Sequence, residues 1–319
     1  MSSGEVREGV SLTNLDQPVF PGADATKRDF VDYLEAVADR MLPQLRDRPL
    51  TVKRVLRGQD AFMQKNLPKY TPDWVQRVDM WAETSKRNIS YALCNDRRTL
   101  LWFGNQRAIE YHPTLFVGDP SDGGQTHLVL DLDPPEDGGF SLAVGGALLV
   151  RQALTDSGLS GAVKTSGAKG VHVFVPLAPD QSYEDVAAAT RAIAARAERI
   201  DPELGTTEFV RERRGGKVFL DSTRAGGGTV VCAYSPRYRP GAPVSFPVPW
   251  AELEQVKPAD FTVRNAAALL AENDSWVTEM PEPQTLPAEL VEEGHTIPIA
   301  RVVAMHEGKR RARAARETS

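Results

Sequence analysis

HLVLDLDPP, residues 127–135, decides the reading of this chain. From His127 to Asp133 the sequence reads as a β-strand, and alternate side chains of a strand share a face. Leu128, Leu130 and Leu132 therefore point one way, and Val129, Asp131 and Asp133 the other. The two aspartate Cα atoms should lie about 6.6 to 7 Å apart along the strand. Carboxylates at that spacing can lean together and bridge two cations roughly 3.5–4 Å apart, the geometry of two-metal phosphoryl transfer. Without a cation, like charges held this close push one pKa upward. A DxD in a loop would simply face solvent; on a leucine-rich strand closed by Pro134 and Pro135 it is a candidate site.

Outward from that strand, Lys217-Val-Phe-Leu-Asp221 repeats the pattern with one carboxylate. An aspartate ending a strand is usually a turn former. Beside the DxD it gains meaning as a third ligand, because hard divalent cations take several oxygens. KTSGAKGVHV, residues 164–173, is the third feature. Gly167 and Gly170 let backbone N–H groups approach a phosphate, Ser166 can donate a hydroxyl hydrogen bond, and Lys169 can supply charge. His172 opens an alternating strand whose other face is Val171, Val173 and Val175. No GxxxxGK[ST] loop is present, and a plain glycine hairpin with a packed histidine is the competing reading.

The remaining pattern predicts mixed helices and strands. Thr26 to Asp29 reads as a capping box before a helix over 27–42. Residues 50–56 read as a strand and 61–80 as irregular. YALCN and TLLWFGNQRAIEYH read as a strand and a short helix, with Trp81 and Trp102 in the core. A helix over 141–159 carries two weakening glycines, and AVKTSG and GVHVFVPL form a strand pair. Ser182 caps an alanine-rich helix to about residue 200. Strands at 217–222 and 229–235 flank a turn at Gly226–Gly228, and short helices follow near 250–256 and 263–272. Residues 1–10 read as a loose N-terminus, 11–280 as the main domain, and 281–319 as a Pro/Glu-rich then basic arm or tail. The fold class is α+β; no GxGxxG follows a strand, which excludes a dinucleotide-binding parallel sheet.

Of 319 residues, 38 are basic and 43 acidic, a net charge of −5. That balance excludes a coat of basic residues, so any nucleic-acid contact must be focused and salt-sensitive. Cations cluster at Lys53, Arg54 and Arg57; at Arg211, Arg213, Arg214 and Lys217; at Arg237 and Arg239; and at Lys309 to Arg316. Arg214 is the candidate DNA contact of the second cluster. No apolar run is long enough for a membrane span. Cys94 and Cys232 stand too far apart for a CxxC site. A cytoplasmic monomer with reduced thiols and no membrane partner is the expectation. His127, His295 and His306 have no chemical partners in the sequence pattern.

LVLDLDP, KTSGAKGVHV and KVFLD, in this order, resemble the three motifs of the archaeo-eukaryotic primase superfamily. More narrowly the chain resembles the polymerase domain of bacterial DNA ligase D, through LTNLDQPVFPGADATKRDFVDYL, LTVKR, YALCNDRRTLLWFGNQRAIEYHP and AYSPRYRPGAPVS as well. The resemblance covers roughly residues 11 to 275. It implies a primase-like catalytic core with mixed or antiparallel sheets flanked by helices, standing alone as a polymerase. It also implies two divalent cations, Mn²⁺ or Mg²⁺, on Asp131, Asp133 and Asp221, and a nucleotide triphosphate held by Ser166, Lys169 and His172. Arg237 and Lys53 match family positions near the phosphates, His112 one near the sugar, and Phe62 an aromatic that stacks on the templating strand. Ribonucleotides are the implied preference. Two N-terminal lysines commonly read a 5′-phosphate in this family: Lys27, at a helix start suited to anions, fits the second, and Gln17 replaces the first.

The mechanism this implies extends a DNA 3′ end from an NTP or dNTP at gaps or ends, beside a separate ligase and an end-binding protein. De novo priming would use the same acids with a second nucleotide at the initiation position. A non-catalytic module bridging DNA ends is the third reading, and the intact three-aspartate set argues against it.

Overall fold

The structure is a computed structural model that describes residues 5–23, 25–82, 86–118, 124–179, 181–225 and 228–299. The chain divides into two compact units: residues 1–124, 164–168 and 227–279, and residues 125–163, 169–226 and 280–319.

In the first unit, the helix Lys27–Leu45 starts where its cap dictates. Thr26 accepts from the Asp29 N–H while the Asp29 carboxylate accepts from the Thr26 N–H, an arrangement worth about 1 kcal/mol. Phe30, Leu34, Val37, Met41 and Leu45 fall on one helical face and are buried. That face packs on the helix Arg97–Asn105, where a Cβ added at Gly104 would lie 2.9 Å from Leu34 Cδ1. The unit's five-stranded sheet is antiparallel. Its order is Phe62–Gln64, Leu50–Arg54, Arg87–Ala92, Arg77–Ala82, and Ala108–Pro113 also pairs with Leu50–Arg54.

Several elements here correct the sequence reading. Residues 61–80 hold two strands rather than irregular chain, and Trp81 on the second is 59% exposed, whereas Trp102 is buried. TLLWFGNQRAIEYH is not one helix: Arg107 turns the chain at φ 60°, and the strand Ala108–Pro113 follows. Residues 5–12 form a hairpin of Glu5–Arg7 with Val10–Leu12. Its turn residues Glu8 and Gly9 both take positive φ, as a tight hairpin requires, and Arg7 is anchored by Glu5, Asp32 and Glu35. Residues 229–232 run along Tyr111–Thr114 with an isolated bridge, Thr114 with Thr229, and residues 233–234 turn, Tyr234 at φ 67°. Residues 250–256 are turns, while Ala266–Glu272 is a helix. Gly226 and Gly227 lie outside the described residues.

In the second unit, the strands run in the order Gly205–Thr206, Val218–Asp221, His127–Asp133, Val171–Pro176, Ala162–Thr165, the last crossing into residues assigned to the first unit. The pairs around His127–Asp133 are antiparallel and that between Gly205–Thr206 and Val218–Asp221 is parallel. The helices Phe140–Asp156 and Tyr183–Ile200 pack on each other and on this sheet. Gly146 is required there: a Cβ would lie 2.9 Å from Val218 Cγ1. Of the stretch 281–319, the helix Ala288–Thr296 packs on Tyr183–Ile200, tied by Arg196 and Arg199 to Glu293 and by His295 to Asp185. Residues 300–319, with His306 and the Lys309–Arg316 cluster, lie outside the described residues. No helix among the described residues is long and apolar enough to cross a membrane.

Candidate active site

Strand register aligns the acids. Asp221 sits directly opposite Asp131 on one side, and His172 directly opposite Asp131 on the other. Directly opposed residues of antiparallel strands project to one face, so His172, Asp131 and Asp221 form a row across three strands. Asp133, two residues beyond Asp131, shares that face. His172 Nε2 lies 3.1 Å from Asp131 Oδ1. Arg224 takes the other oxygen, with Nη2 at 3.0 Å and Nε at 3.1 Å from Asp131 Oδ2, and Nε 3.4 Å from Asp221 Oδ2. Thr223 donates its N–H and hydroxyl to Asp221 Oδ1 at 2.8 and 2.6 Å.

Asp131 and Asp221 are both buried, and buried carboxylates must be paired. The Asp133 carboxyl is pushed up to about 6, by desolvation first and then by the Asp131 charge. Because Asp133 is exposed at the strand end, the like charge is the cause the geometry supports better. Three carboxylates are a hard-oxygen set of the kind Mg²⁺ and Mn²⁺ take. Among the described residues no three His, Cys, Asp or Glu side chains converge as ready ligands. The Asp131 oxygens face His172 and Arg224. The donor set fits divalent cations by chemistry and register, with Arg224 as the group the carboxylates would have to release.

The SGAKG turn is shaped by close packing. Gly167 has φ +65°, and a Cβ there would lie 2.7 Å from Arg237 Cγ and 2.8 Å from Ser245 N. A Cβ on Gly170 would lie 2.5 Å from Leu132 O, on the DxD strand itself. Ser166 Oγ accepts the Ala168 N–H, and Lys169 Nζ donates to Glu136 O. Ser166 belongs to the first unit, Lys169 and His172 to the second.

Within the first unit, Lys53, His112 and Arg237 meet at Glu110. Lys53 and Glu110 are directly opposite across paired strands. Glu110 Oε1 lies 3.4 Å from Lys53 Nζ, and Oε2 lies 2.9 Å from His112 Nε2 and 3.2 Å from Arg237 Nε. The Tyr238 N–H donates to Oε1 at 3.0 Å, and Arg237 Nη1 donates to Ser166 O. Burial alone would raise the Glu110 carboxyl; the His112 hydrogen bond, the Arg237 charge and the Tyr238 N–H instead hold it well below the usual carboxylate range.

The model of the family described as "LigD, primase-polymerase domain" matches residues 26–276. The chain belongs to the LigD primase-polymerase family. It is 36% identical over 269 residues to the bifunctional non-homologous end joining protein LigD of Bacillus subtilis, covering 82% of this chain and 42% of that protein. It is 35% identical over 255 residues to the multifunctional LigD of Mycobacterium tuberculosis, 77% of this chain and 33% of that one. The chain thus spans less than half of these relatives. Among solved structures, the polymerase domain of Mycobacterium tuberculosis ligase D in complex with DNA matches with a TM-score of 0.76 at 33% identity, over 85% of this chain and 99% of that one. The α+β, primase-like class is therefore the class of this LigD domain.

The remaining candidates of the LigD domain are distributed as follows. Phe62 stands on the short strand Phe62–Gln64 and is 37% exposed. Arg214 places its Cζ over the Phe219 ring, 3.7 Å from the centroid, and donates to Glu208 O and Phe209 O, so its guanidinium is largely committed within its own unit. Lys27 does not point outward from its helix start. It is 3% exposed, and its Nζ donates to Thr13 O and Asn105 Oδ1 at 2.7 and 2.6 Å. The backbone does bring Gln17 and Lys27 together, through Lys27 N–H to Gln17 O. Neither Glu110 nor Arg224 was among the sequence candidates. Glu110 could have been found from its spacing, since Glu110 and His112 share a strand face once AIEYH is read with period two. No local pattern marks Arg224.

Proposed function

We propose that this domain is a metal-dependent nucleotidyltransferase that extends a DNA 3′ end against a template in the repair of broken ends. The observation that carries the reading is the row His172–Asp131–Asp221 across three strands, with Asp133 on the same face. Asp131, Asp133 and Asp221 would hold two divalent cations, magnesium or manganese. Bound there, such ions supply Lewis-acid chemistry: a lowered pKa for a primer 3′-hydroxyl and neutralised charge on the triphosphate and departing pyrophosphate. The chain's own work is positioning and charge. His172, its Nε2 3.1 Å from Asp131 Oδ1, orients that carboxylate. Thr223 fixes Asp221 in the same way. Ser166, Lys169, His172, Lys53 and Arg237 would hold the triphosphate, and His112 would serve its sugar side. Phe62 stacks on the template, and Arg214 contacts DNA only where its present bonds allow. A preference for ribonucleotides goes with this reading, as do a ligase that seals the product, an end-binding protein, and a cytoplasmic location where DNA and nucleotides are found.

Primer extension on a gapped duplex tests it. The wild-type chain should extend with Mn²⁺ or Mg²⁺ and not in a chelator, and Asp131→Ala should lose at least about a hundredfold, the scale of losing a main electrostatic contributor. Extension by Asp131→Ala at near wild-type rate, or none by the wild type with either metal, ends the proposal.

A further inference from the structure

Glu110 is an expensive residue to keep where it is. It is 3% exposed in the middle of the strand Ala108–Pro113, and an ionised carboxylate taken out of water costs several kcal/mol unless its partners repay it. A neutral side chain would pack there at lower cost, so its partners indicate its use. Lys53 and Arg237 are two permanent cations sharing this one carboxylate, which leaves positive charge over for an anionic ligand. The Arg237 Nε is held by charge rather than by an aligned hydrogen bond, while its Nη1 is tied to Ser166 O. His112 is held neutral: burial lowers its pKa, the Glu110 bond raises it in part, and the Arg237 and Lys164 charges lower it again. A neutral imidazole facing a carboxylate carries its proton on the facing nitrogen, here Nε2. Nδ1 is then a hydrogen-bond acceptor, and among the described residues nothing else bonds the ring.

We infer that Glu110 is a positioning residue for nucleotide binding, holding Lys53 and Arg237 as a cationic pair for phosphate and locking His112 with Nδ1 turned out as an acceptor for a sugar hydroxyl. The inference rests on the polymerase reading and adds a residue to it. An acceptor nitrogen suits a hydroxyl, which can donate, and is repelled by a phosphate oxygen, which cannot. The same carboxylate therefore sorts the two ends of a nucleotide: cations for the phosphates, a lone pair for the sugar.

The test compares wild type with Glu110→Gln, which keeps the shape and removes the charge. Steady-state primer extension should show KM for ATP raised about tenfold or more, the 1.4 kcal/mol scale of a lost charge-assisted bond, with kcat within about threefold. KM for 2′,3′-dideoxy-ATP, which lacks both hydroxyls, should rise less than that for ATP. Independently of activity, ¹⁵N spectra of histidine-labelled wild-type protein should show His112, identified by its loss in His112→Asn, as the Nε2–H tautomer. KM for ATP within twofold of wild type, or an equal rise for both nucleotides, overturns the inference. So does an Nδ1–H tautomer in the wild type, a measurement that needs no Glu110 variant to fold. Failure of the wild type to extend any primer would instead sink the polymerase reading, and the spectrum would still report on the Glu110–His112 pair.

Discussion

Asp131 and Asp221 face each other across two antiparallel strands, and one guanidinium spans them. Like charges directly opposed on a sheet destabilise it, so Arg224 is the fold's own counter-ion for its acids. Breaking a buried pair costs about 3–5 kcal/mol; the Arg224 side chain is 36% exposed, which moves the expected cost of Arg224→Gln toward about 1–2 kcal/mol. The variant should therefore melt several degrees lower in a chelator. Millimolar Mn²⁺ should return more of that loss to the variant than it adds to the wild type, because a ligand that binds only the folded state stabilises it. Equal melting points in chelator would refute this. The three aspartates were legible because alternation in HLVLDLD and VFLD sets each carboxylate's face without any tertiary knowledge. Arg224 was not, since it reaches Asp131 from a separate turn, 93 residues away in sequence. Asp131→Ala relieves the repulsion between the acids, but it also strips Arg224 and His172 of a partner.

At the scale of elements, the helix Lys27–Leu45 joins a cap readable in the sequence to a lysine whose direction was not. TKRD announces the capping box, and the spacing of Phe30, Leu34, Val37 and Met41 announces the buried face. Nothing local says that Lys27 folds back to Thr13 O and Asn105 Oδ1, contacts set by the N-terminal hairpin and a second helix. Strand 108–113 was missed for a related reason: Gly104 lies inside the helix and marks no end to it, and the stop is made by a non-glycine residue at positive φ, Arg107. Lys27 supplies a pH test. Burial first, and then the Arg107 charge, lower its pKa to about 8 from 10.5. Below pH 8 the amine is protonated in both the folded and the unfolded chain, and the cost of burying its charge is fully felt. Between about 8 and 10.5 the unfolded chain binds more protons than the folded one, so stability contributed at this site rises with pH. Denaturant unfolding of wild type and Lys27→Met should show their difference moving in favour of wild type across that window, each tenfold difference in proton affinity between the two states being worth about 1.4 kcal/mol. A difference flat from pH 7 to 10 would contradict the burial of a charged Lys27.

The whole molecule carries −5, so a duplex meets a body of like charge and must be held by local cations. Binding should then fall with salt with a slope near 0.9 for each phosphate neutralised. The helix start at Lys27 is a poor place to find one of those phosphates. Lys27 Nζ is occupied by two oxygens, Arg28 Nη1 is bonded to Glu5 at 2.6 Å, and Gln17 is neutral. A charge-assisted bond to a 5′-phosphate would be worth about 1.5–3 kcal/mol, and hence more than tenfold in affinity. With Lys27 and Arg28 both engaged, extension across a gap should differ by less than about threefold between a downstream 5′-phosphate and a 5′-hydroxyl, at the same salt and subsaturating DNA. Stimulation of tenfold or more by the phosphate would require Lys27 to leave Thr13 and Asn105 on binding, and Asn105→Ala, which removes one of its two anchors, should then increase the stimulation further.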